Sequence, residues 1–148
     1  MNPARPPEGA PVSEIPKLLP VTDDLDTGAF FAAARDGVLV VRQCLECGNG
    51  IHPPTAHCPF CGSWKTEWRS ASGKGWLYTW TTVHHQLNPA FPAPYTVVAV
   101  QLEDIPRVRM VGHLPGAPQL NAGMPMEVFF EAAAEDVTLP QWRPAQNI

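Results

Sequence analysis

Two Cys-x-x-Cys pairs that stand ten residues apart constrain the fold of this chain more than any other feature. Cys44 and Cys47 form the first pair, and Cys58 and Cys61 form the second. Each pair can make a tight turn whose amide hydrogens point at the sulfurs, and a glycine directly after the second cysteine releases the backbone. Two such turns that face each other present four thiolates in a tetrahedron. The spacing predicts a zinc site, and iron fits the same geometry.

Other uses of these cysteines fit the sequence less well. Two disulfides would suit a secreted domain, but the N-terminus lacks the apolar core of a signal peptide. A redox-active Cys-x-x-Cys needs only one pair, in a thioredoxin-like βαβ context. Four sulfur ligands leave no open coordination position, so we expect a structural metal rather than a catalytic one. His52 and His57 lie between the pairs and are interpreted as bystanders.

The composition narrows the class of protein further. With 18 prolines and only 16% charged residues in 148, the chain favours short strands and turns over helical bundles. The formal net charge is -4 and the basic residues are scattered, which argues against a nucleic-acid partner. No apolar run is long enough to span a membrane. We therefore expect a soluble, cytoplasmic protein.

The organisation along the chain indicates four segments. Residues 1–21 are predicted to be a proline-rich flexible arm, and residues 22–43 a helix with a lead-in strand. Residues 44–70 would form the zinc ribbon and residues 71–145 a barrel. The helix is predicted from Thr22 to Asp36, starting at a cap on Thr22 or Asp23 and ending at Gly37.

Alternating apolar residues predict β-strands after the cysteines. The segments are residues 76–83, 96–103, 108–114 and 126–131, and Trp76, Tyr78 and Trp80 are predicted to share one face of the first. Four or five such strands suffice for a small five-stranded Greek-key barrel of the OB type, although the pattern alone leaves an SH3-like barrel open. The predicted fold class is mainly β: an N-terminal helix, a four-cysteine zinc ribbon and an OB-type barrel.

A stiff apolar loop runs from Leu87 to Tyr95. It carries the apolar side chains of Leu87, Phe91 and Tyr95 as well as three prolines, which stiffen it. Stiff loops lose little entropy when they bind a partner, and aromatic side chains are favoured at interface centres. We expect these three side chains to line an interface or an acyl pocket; a lid over the barrel without any partner is the alternative. The His84-His85 pair before the loop is interpreted as structural or exposed.

The order of motifs resembles a known family. It comprises Phe30-Phe31, Arg42-Gln43-Cys44, His52-Pro53-Pro54, the second knuckle Cys58 to Ser63, Trp68, Gly73-Lys74-Gly75, the strand Leu77 to His84, the loop Pro89 to Tyr95, Gly123-Met124-Pro125 and the ending Leu139 to Pro144. From about residue 25 to 145 the chain is similar to the domain of unknown function 35, a rubredoxin-like zinc ribbon joined to an OB-fold.

The resemblance implies a role as well as a fold. Members of that family are small partners of thiolase-like enzymes that act on acyl-CoA thioesters, including the lipid-transfer-type aldolases that shorten sterol side chains. The resemblance implies a non-catalytic subunit that is an obligate partner in a heterotetramer with two copies of each chain. It also implies that the subunit helps form the CoA or acyl pocket of an enzyme in lipid metabolism or steroid degradation. The four family cysteines carry over onto Cys44, Cys47, Cys58 and Cys61, and no catalytic residue carries over.

Two other functions compete with this one. Zinc ribbons and OB-folds bind nucleic acids elsewhere, which requires a positive face interleaved with aromatic side chains. A rubredoxin-like electron carrier would hold iron at the same four cysteines.

Overall fold

The computed structural model describes residues 17–146, so most of the predicted proline-rich arm lies outside the described part. Within these residues the chain forms one short helix and eight strands. In chain order they are α1 (Gly28–Arg35), β1 (Val40–Cys44), β2 (Gly50–Ile51), β3 (Thr66–Ser70), β4 (Lys74–Val83), β5 (Tyr95–Leu102), β6 (Arg109–Pro115), β7 (Pro125–Ala134) and β8 (Val137–Pro144).

The helix is shorter than the sequence predicts. Asp24 Oδ1 accepts hydrogen bonds from the Thr27 amide (2.6 Å) and hydroxyl (2.7 Å), so a turn precedes the helix and Thr27 becomes its N-cap residue. The prediction of a start at Thr22 or Asp23 was wrong because the Asp24 side chain stabilises a turn that competes with the first turn of a helix. The buried face carries Phe30 and Ala34, and Gly37 ends the helix with a φ of 73°, as predicted.

Strands β1, β2 and β3 form the ribbon sheet, in the antiparallel order β2-β1-β3. Gly50 of β2 packs against the barrel: a Cβ atom there would lie 2.6 Å from Val108 Cγ2 and 2.9 Å from Ile105 Cγ2. The close approach of the two sheets at this point therefore requires glycine.

The remaining five strands form an antiparallel sheet in the order β6-β5-β4-β7-β8. Strand β6 also packs beside β8, which closes the sheet into the predicted OB-type barrel. The sequence pattern did not reveal β8, which contains Pro140 and Pro144. Its ladder runs to β7, and a position at the sheet edge tolerates residues that lack an N–H donor.

A β-bulge in β4 overturns the predicted shared face of Trp76, Tyr78 and Trp80. Leu77 pairs with Val100 but Thr79 pairs with Ala99, so Tyr78 is an extra residue. The following Trp80 pairs with the fully buried Val98, on the opposite face of the strand from Trp76, although its own side chain is still 37% exposed. Trp76 and Tyr78 stay outside, 43% and 50% exposed. Alternation in a sequence cannot mark a single inserted residue.

One hydrophobic core joins the helix, β1 and the barrel. Trp142 of β8 is fully buried and lies against Gly112 of β6, where a Cβ atom would be 3.1 Å from the Trp142 backbone nitrogen. The buried residues of this core are Phe30, Leu39, Val40, Val41, Leu77, Val98, Val100, Leu102, Ile105, Val108, Met110, Leu114, Leu120, Met126 and Trp142.

Candidate functional site

The four cysteines of the two pairs converge at the tip of the ribbon. Their sulfurs all lie within 4.8 Å of one another, and the Cys44–Cys61 and Cys47–Cys58 Sγ distances are both 3.6 Å. A disulfide would need about 2.0 Å. Tetrahedral zinc with Zn–S bonds of about 2.3 Å separates its sulfurs by roughly 3.8 Å. The cluster therefore has the size of a four-thiolate metal site.

Local backbone geometry shapes each half of the cluster. The Gly48 amide donates to the Cys44 carbonyl (3.1 Å), and the Gly62 amide donates to the Cys58 carbonyl (2.9 Å). Both glycines have positive φ, 74° and 76°, a conformation that other residues rarely adopt. The predicted pair of matching turns is confirmed.

The electrostatics of the sulfurs favour a bound cation. Hydrogen bonds from the backbone and side chain of Asn49 lower the pKa of Cys47 to about 6, and Asn49 Nδ2 lies 3.3 Å from its sulfur. The Ser63 amide acts in the same direction on Cys61, but desolvation and the neighbouring thiols outweigh it and raise the pKa of Cys61 to about 12. Four adjacent thiolates repel one another, and a divalent cation removes that repulsion.

The histidines between the pairs lie away from the sulfur cluster. His52 is partly buried 5.7 Å from the Phe30 ring, and this burial lowers the pKa of its imidazole to about 4. His57 packs on Trp64 with ring centroids 5.1 Å apart. Within residues 17–146, the four cysteines form the only cluster of three or more such ligands with metal-site dimensions.

A second feature is an apolar cleft of about 330 Å³ on the outer face of the barrel, which we call the aromatic cleft. The ring centroids of Phe91, Tyr95 and His113 lie 5.3 to 6.2 Å apart. The structure thus brings together two of the three predicted loop residues, whereas Leu87 is 78% exposed and outside the lining. The other lining residues are Val97, Val111, Gly112 and Gln141.

His113 is the polar group that sequence reasoning missed in this cleft. Its backbone amide donates to Gln141 Oε1 (2.9 Å), and Gln141 Nε2 donates to Glu131 Oε2 (3.1 Å). Its buried Nε2 has no hydrogen-bond partner in the described part of the chain. Burial and the nearby Lys17 lower the pKa of His113, so the imidazole is neutral at neutral pH. The alternation of residues along β6 places His113 on the outward face of the strand, and this was the sequence signal that could have identified it.

The other polar residues considered from the sequence form no cluster of their own. His84 and His85 are both exposed on the segment that leaves β4. The Asp24 carboxylate accepts hydrogen bonds from Thr27 just before the helix, which agrees with its interpretation as a helix-start carboxylate. No helix in residues 17–146 has the length and apolar character needed to cross a bilayer.

Comparisons with known families match both parts of the fold. Residues 31–66 match the family described as "ChsH2, rubredoxin-like zinc ribbon domain", and residues 68–131 match "ChsH2, C-terminal OB-fold domain". A solved structure described as "Ltp2-ChsH2(DUF35) aldolase" is 35% identical, with a TM-score of 0.71. The likeness covers 82% of this chain and 95% of that one.

Curated relatives agree with these matches. A DUF35 domain-containing scaffold protein of Methanocaldococcus jannaschii is 32% identical over 103 residues, 66% of this chain and 71% of the relative. A probable enoyl-CoA hydratase alpha subunit of Thermomonospora curvata is 38% identical over 122 residues, which are 81% of this chain but only 38% of that subunit. The chain therefore belongs to the DUF35 family, with a rubredoxin-like zinc ribbon and an OB-fold of the ChsH2 type.

Proposed function

We propose that this chain is a non-catalytic accessory subunit that holds a structural zinc ion and binds a thiolase-fold enzyme acting on acyl-CoA thioesters. The observation that carries the proposal is the likeness along 95% of a chain in the Ltp2-ChsH2(DUF35) aldolase, at 35% identity. By that analogy the partner is an aldolase or thiolase, and the assembly contains two copies of each subunit.

The geometry of the metal centre supports an accessory role. Cys44, Cys47, Cys58 and Cys61 would supply all four ligands of a tetrahedral ion, which leaves no position for substrate or water. When bound, the metal supplies a crosslink rather than a reactive centre. The chain's own residues then hold the ribbon sheet against the barrel through β1, which runs from the core into the cluster.

The aromatic cleft supports a contribution to the acyl pocket. The rings of Phe91 and Tyr95 line it together with Val97 and Val111, and it is a shallow cleft that is largely open to solvent. An apolar acyl chain gains free energy from leaving water in such a cleft. Because His113 is neutral there, it adds a hydrogen-bonding group without a charge. The exposed Leu87 would then meet the partner at the rim.

A second candidate partner is an enoyl-CoA hydratase. The similar segment of the Thermomonospora curvata protein lies within a probable hydratase alpha subunit. The substrate class, an acyl-CoA thioester, is the same in both candidates. The two are separated by the reaction that the assembled complex catalyses.

Co-expression tests the accessory role directly. The chain would be produced with a thiolase-fold enzyme encoded beside it, and the molar mass measured by light scattering after gel filtration. We expect a complex with two copies of each subunit, aldolase or thiolase turnover by that complex, and no turnover by the isolated chain. A chain that stays monomeric beside every such neighbour, or that is active alone, contradicts the proposal.

The cleft is tested within the assembled complex. Phe91→Ala is expected to raise KM for the acyl-CoA substrate about tenfold, because a buried ring contributes on the order of 1.5 to 3 kcal/mol. Leu25→Ala is the control, since Leu25 is 77% exposed and lies outside the cleft. Identical kinetics for the two variants would show that the aromatic cleft does not contact substrate.

A further inference from the structure

A sheet face runs along the outer side of strands β4, β5 and β6, and the aromatic cleft occupies only one end of it. Helix α1 does not cover this face, because it packs on β8 and β1. The strand registers arrange the outward side chains in cross-strand rows. From the aromatic cleft to the far end, the rows are Thr81, Val97 and His113; Thr79, Ala99 and Val111; and Trp76, Gln101 and Arg109.

A β-bulge brings a second aromatic ring to the far end of this face. Tyr78 is the inserted residue of β4, and bulges commonly re-aim a side chain at functional positions. The Arg109 guanidinium carbon lies 3.7 Å from the centroid of the Tyr78 ring, so the Tyr78 side chain reaches across the intervening strand β5. Stacking holds the guanidinium in place and leaves its N–H groups, which lie in the guanidinium plane, able to donate to an acceptor.

The far end is exposed and has the composition of an interface centre. Trp76, Tyr78 and Arg109, which we call the outer patch, are all exposed. Tryptophan, tyrosine and arginine are the residue types most enriched among interface hot spots. Val111 continues the apolar surface towards the aromatic cleft and is 68% exposed. A contiguous exposed apolar surface of this kind is typical of a protein–protein interaction site.

The charge of the face restricts the kind of partner that fits it. Strands β4, β5 and β6 contain no aspartate or glutamate. Glu103 and Asp104 follow β5, and neither forms an ion pair with Arg109 within residues 17–146. A two-fold contact between two copies of the face would bury two Arg109 guanidiniums without a carboxylate from these strands. The face therefore fits a different protein, one with an apolar surface and a carboxylate opposite Arg109.

We propose that this sheet face is the surface by which the chain binds its partner enzyme, with the outer patch as the anchor and an aspartate or glutamate of the enzyme opposite Arg109. The inference rests on the proposed function, which requires such an enzyme. The aromatic cleft lies on the same face and shares Val111 with it. An enzyme bound to the outer patch is therefore positioned to cover the open side of the cleft, as burial of an acyl chain requires.

Hydroxyl-radical footprinting of the assembled complex tests this placement without a substitution. Trp76 and Tyr78 should become severalfold less reactive when the chain binds the enzyme. Trp64, which is 72% exposed at the ribbon tip, is the internal control and should react equally in both states. Unchanged reactivity of Trp76 and Tyr78 in a complex that does form overturns this inference and leaves the accessory role intact. Failure of the unsubstituted chain to form any complex contradicts both.

Variants of the outer patch test its energetic role. Trp76→Ala and Arg109→Glu are each expected to raise the dissociation constant of the complex about tenfold or more, measured by gel filtration of serially diluted complex. Trp64→Ala and Arg35→Glu make the same changes at exposed positions outside the face and should leave the constant unchanged. Zinc content and melting temperature of each isolated variant establish that it is folded. Equal dissociation constants for patch and control variants would overturn the proposal.

Two other occupants of the face would be recognised by the same measurements. A dimeric molar mass of the isolated chain, together with protection of Trp76 and Tyr78, would assign the face to a second copy of this chain. Protection of the two residues by a single-stranded oligonucleotide would assign it to nucleic acid, for which aromatic side chains on an OB-fold face serve as stacking platforms. Either result overturns the proposal.

Discussion

The ribbon and the barrel are stabilised by different means. The barrel shares a core of fifteen buried hydrophobic residues with α1 and the start of β1. The tip of the ribbon has a separate cluster of only Cys44, Ile51 and Cys58. Burial of apolar area can hold the barrel, whereas three residues cannot offset the conformational entropy of some twenty ordered ones. The four-cysteine cluster of metal-site size at the same tip indicates that a bound metal supplies the missing stability.

Strand β1 connects the two kinds of structure within five residues. Val40 and Val41 belong to the barrel core, and Cys44 at the other end belongs to the sulfur cluster. The ribbon is thus rooted in apolar packing at its base and crosslinked at its tip. Substitutions at the two ends should have separable effects.

The largest effect is expected from Cys58→Ser, because Cys58 is fully buried in the sulfur cluster. Loss of one ligand should remove most of a metal-linked folding free energy on the order of 10 kcal/mol. We expect elemental analysis to find no zinc, and NMR to show loss of dispersed signals from the ribbon while barrel signals persist. Leu45→Ala, at a residue that is 57% exposed between two ligands, should keep one zinc ion per chain. Retained zinc in the Cys58→Ser protein would refute the ligand assignment. A red, iron-loaded unsubstituted protein would favour the alternative function as an electron carrier.

A smaller effect is expected from Trp142→Ala in the barrel. Removing this fully buried indole should cost about 3 to 5 kcal/mol of unfolding free energy, measured by urea denaturation, with zinc content unchanged. Trp142→Phe should cost less, since the buried Trp142 Nε1 has no partner among the described residues. If Trp142→Ala also released the metal, the two regions would not be energetically separate.

The smallest effect concerns pH and tests the contact between helix and ribbon. Burial lowers the pKa of His52 to about 4 in the folded protein, against about 6.5 when exposed. As the pH falls through this range the unfolded chain takes up a proton first, so the unfolding free energy should drop by about 3 kcal/mol between pH 6.5 and 4. His52→Phe keeps a ring against Phe30 and lacks this dependence. Subtracting the pH profile of the unfolding free energy of His52→Phe from that of the unsubstituted protein removes the contribution of metal loss, which both proteins share. Parallel profiles for the two proteins would contradict the assignment to His52.

Much of the fold could be predicted because its signals are local. The spacing of the cysteines specifies two turns, and the alternation in β5 correctly places Val98, Val100 and Leu102 in the core. The failures have equally local causes. The extra residue Tyr78 shifted the register of β4, and Asp24 formed a turn where the helix was expected to start. The prolines of β8 concealed a strand that the sheet edge tolerates.

The candidate sites divide in the same way. The four sulfurs and the aromatic pair Phe91 and Tyr95 are near neighbours in sequence, so residue types and spacing alone indicated them. Contacts between distant parts of the chain are different: Arg69 meets Asp104 across 35 positions, and His113 of the aromatic cleft meets Gln141 across 28. Short-range rules governed by turns and alternation determined the metal cluster and most strands. Only the closure of the barrel and its packing on the ribbon decided which distant side chains share a cleft, because that depends on how whole sheets approach.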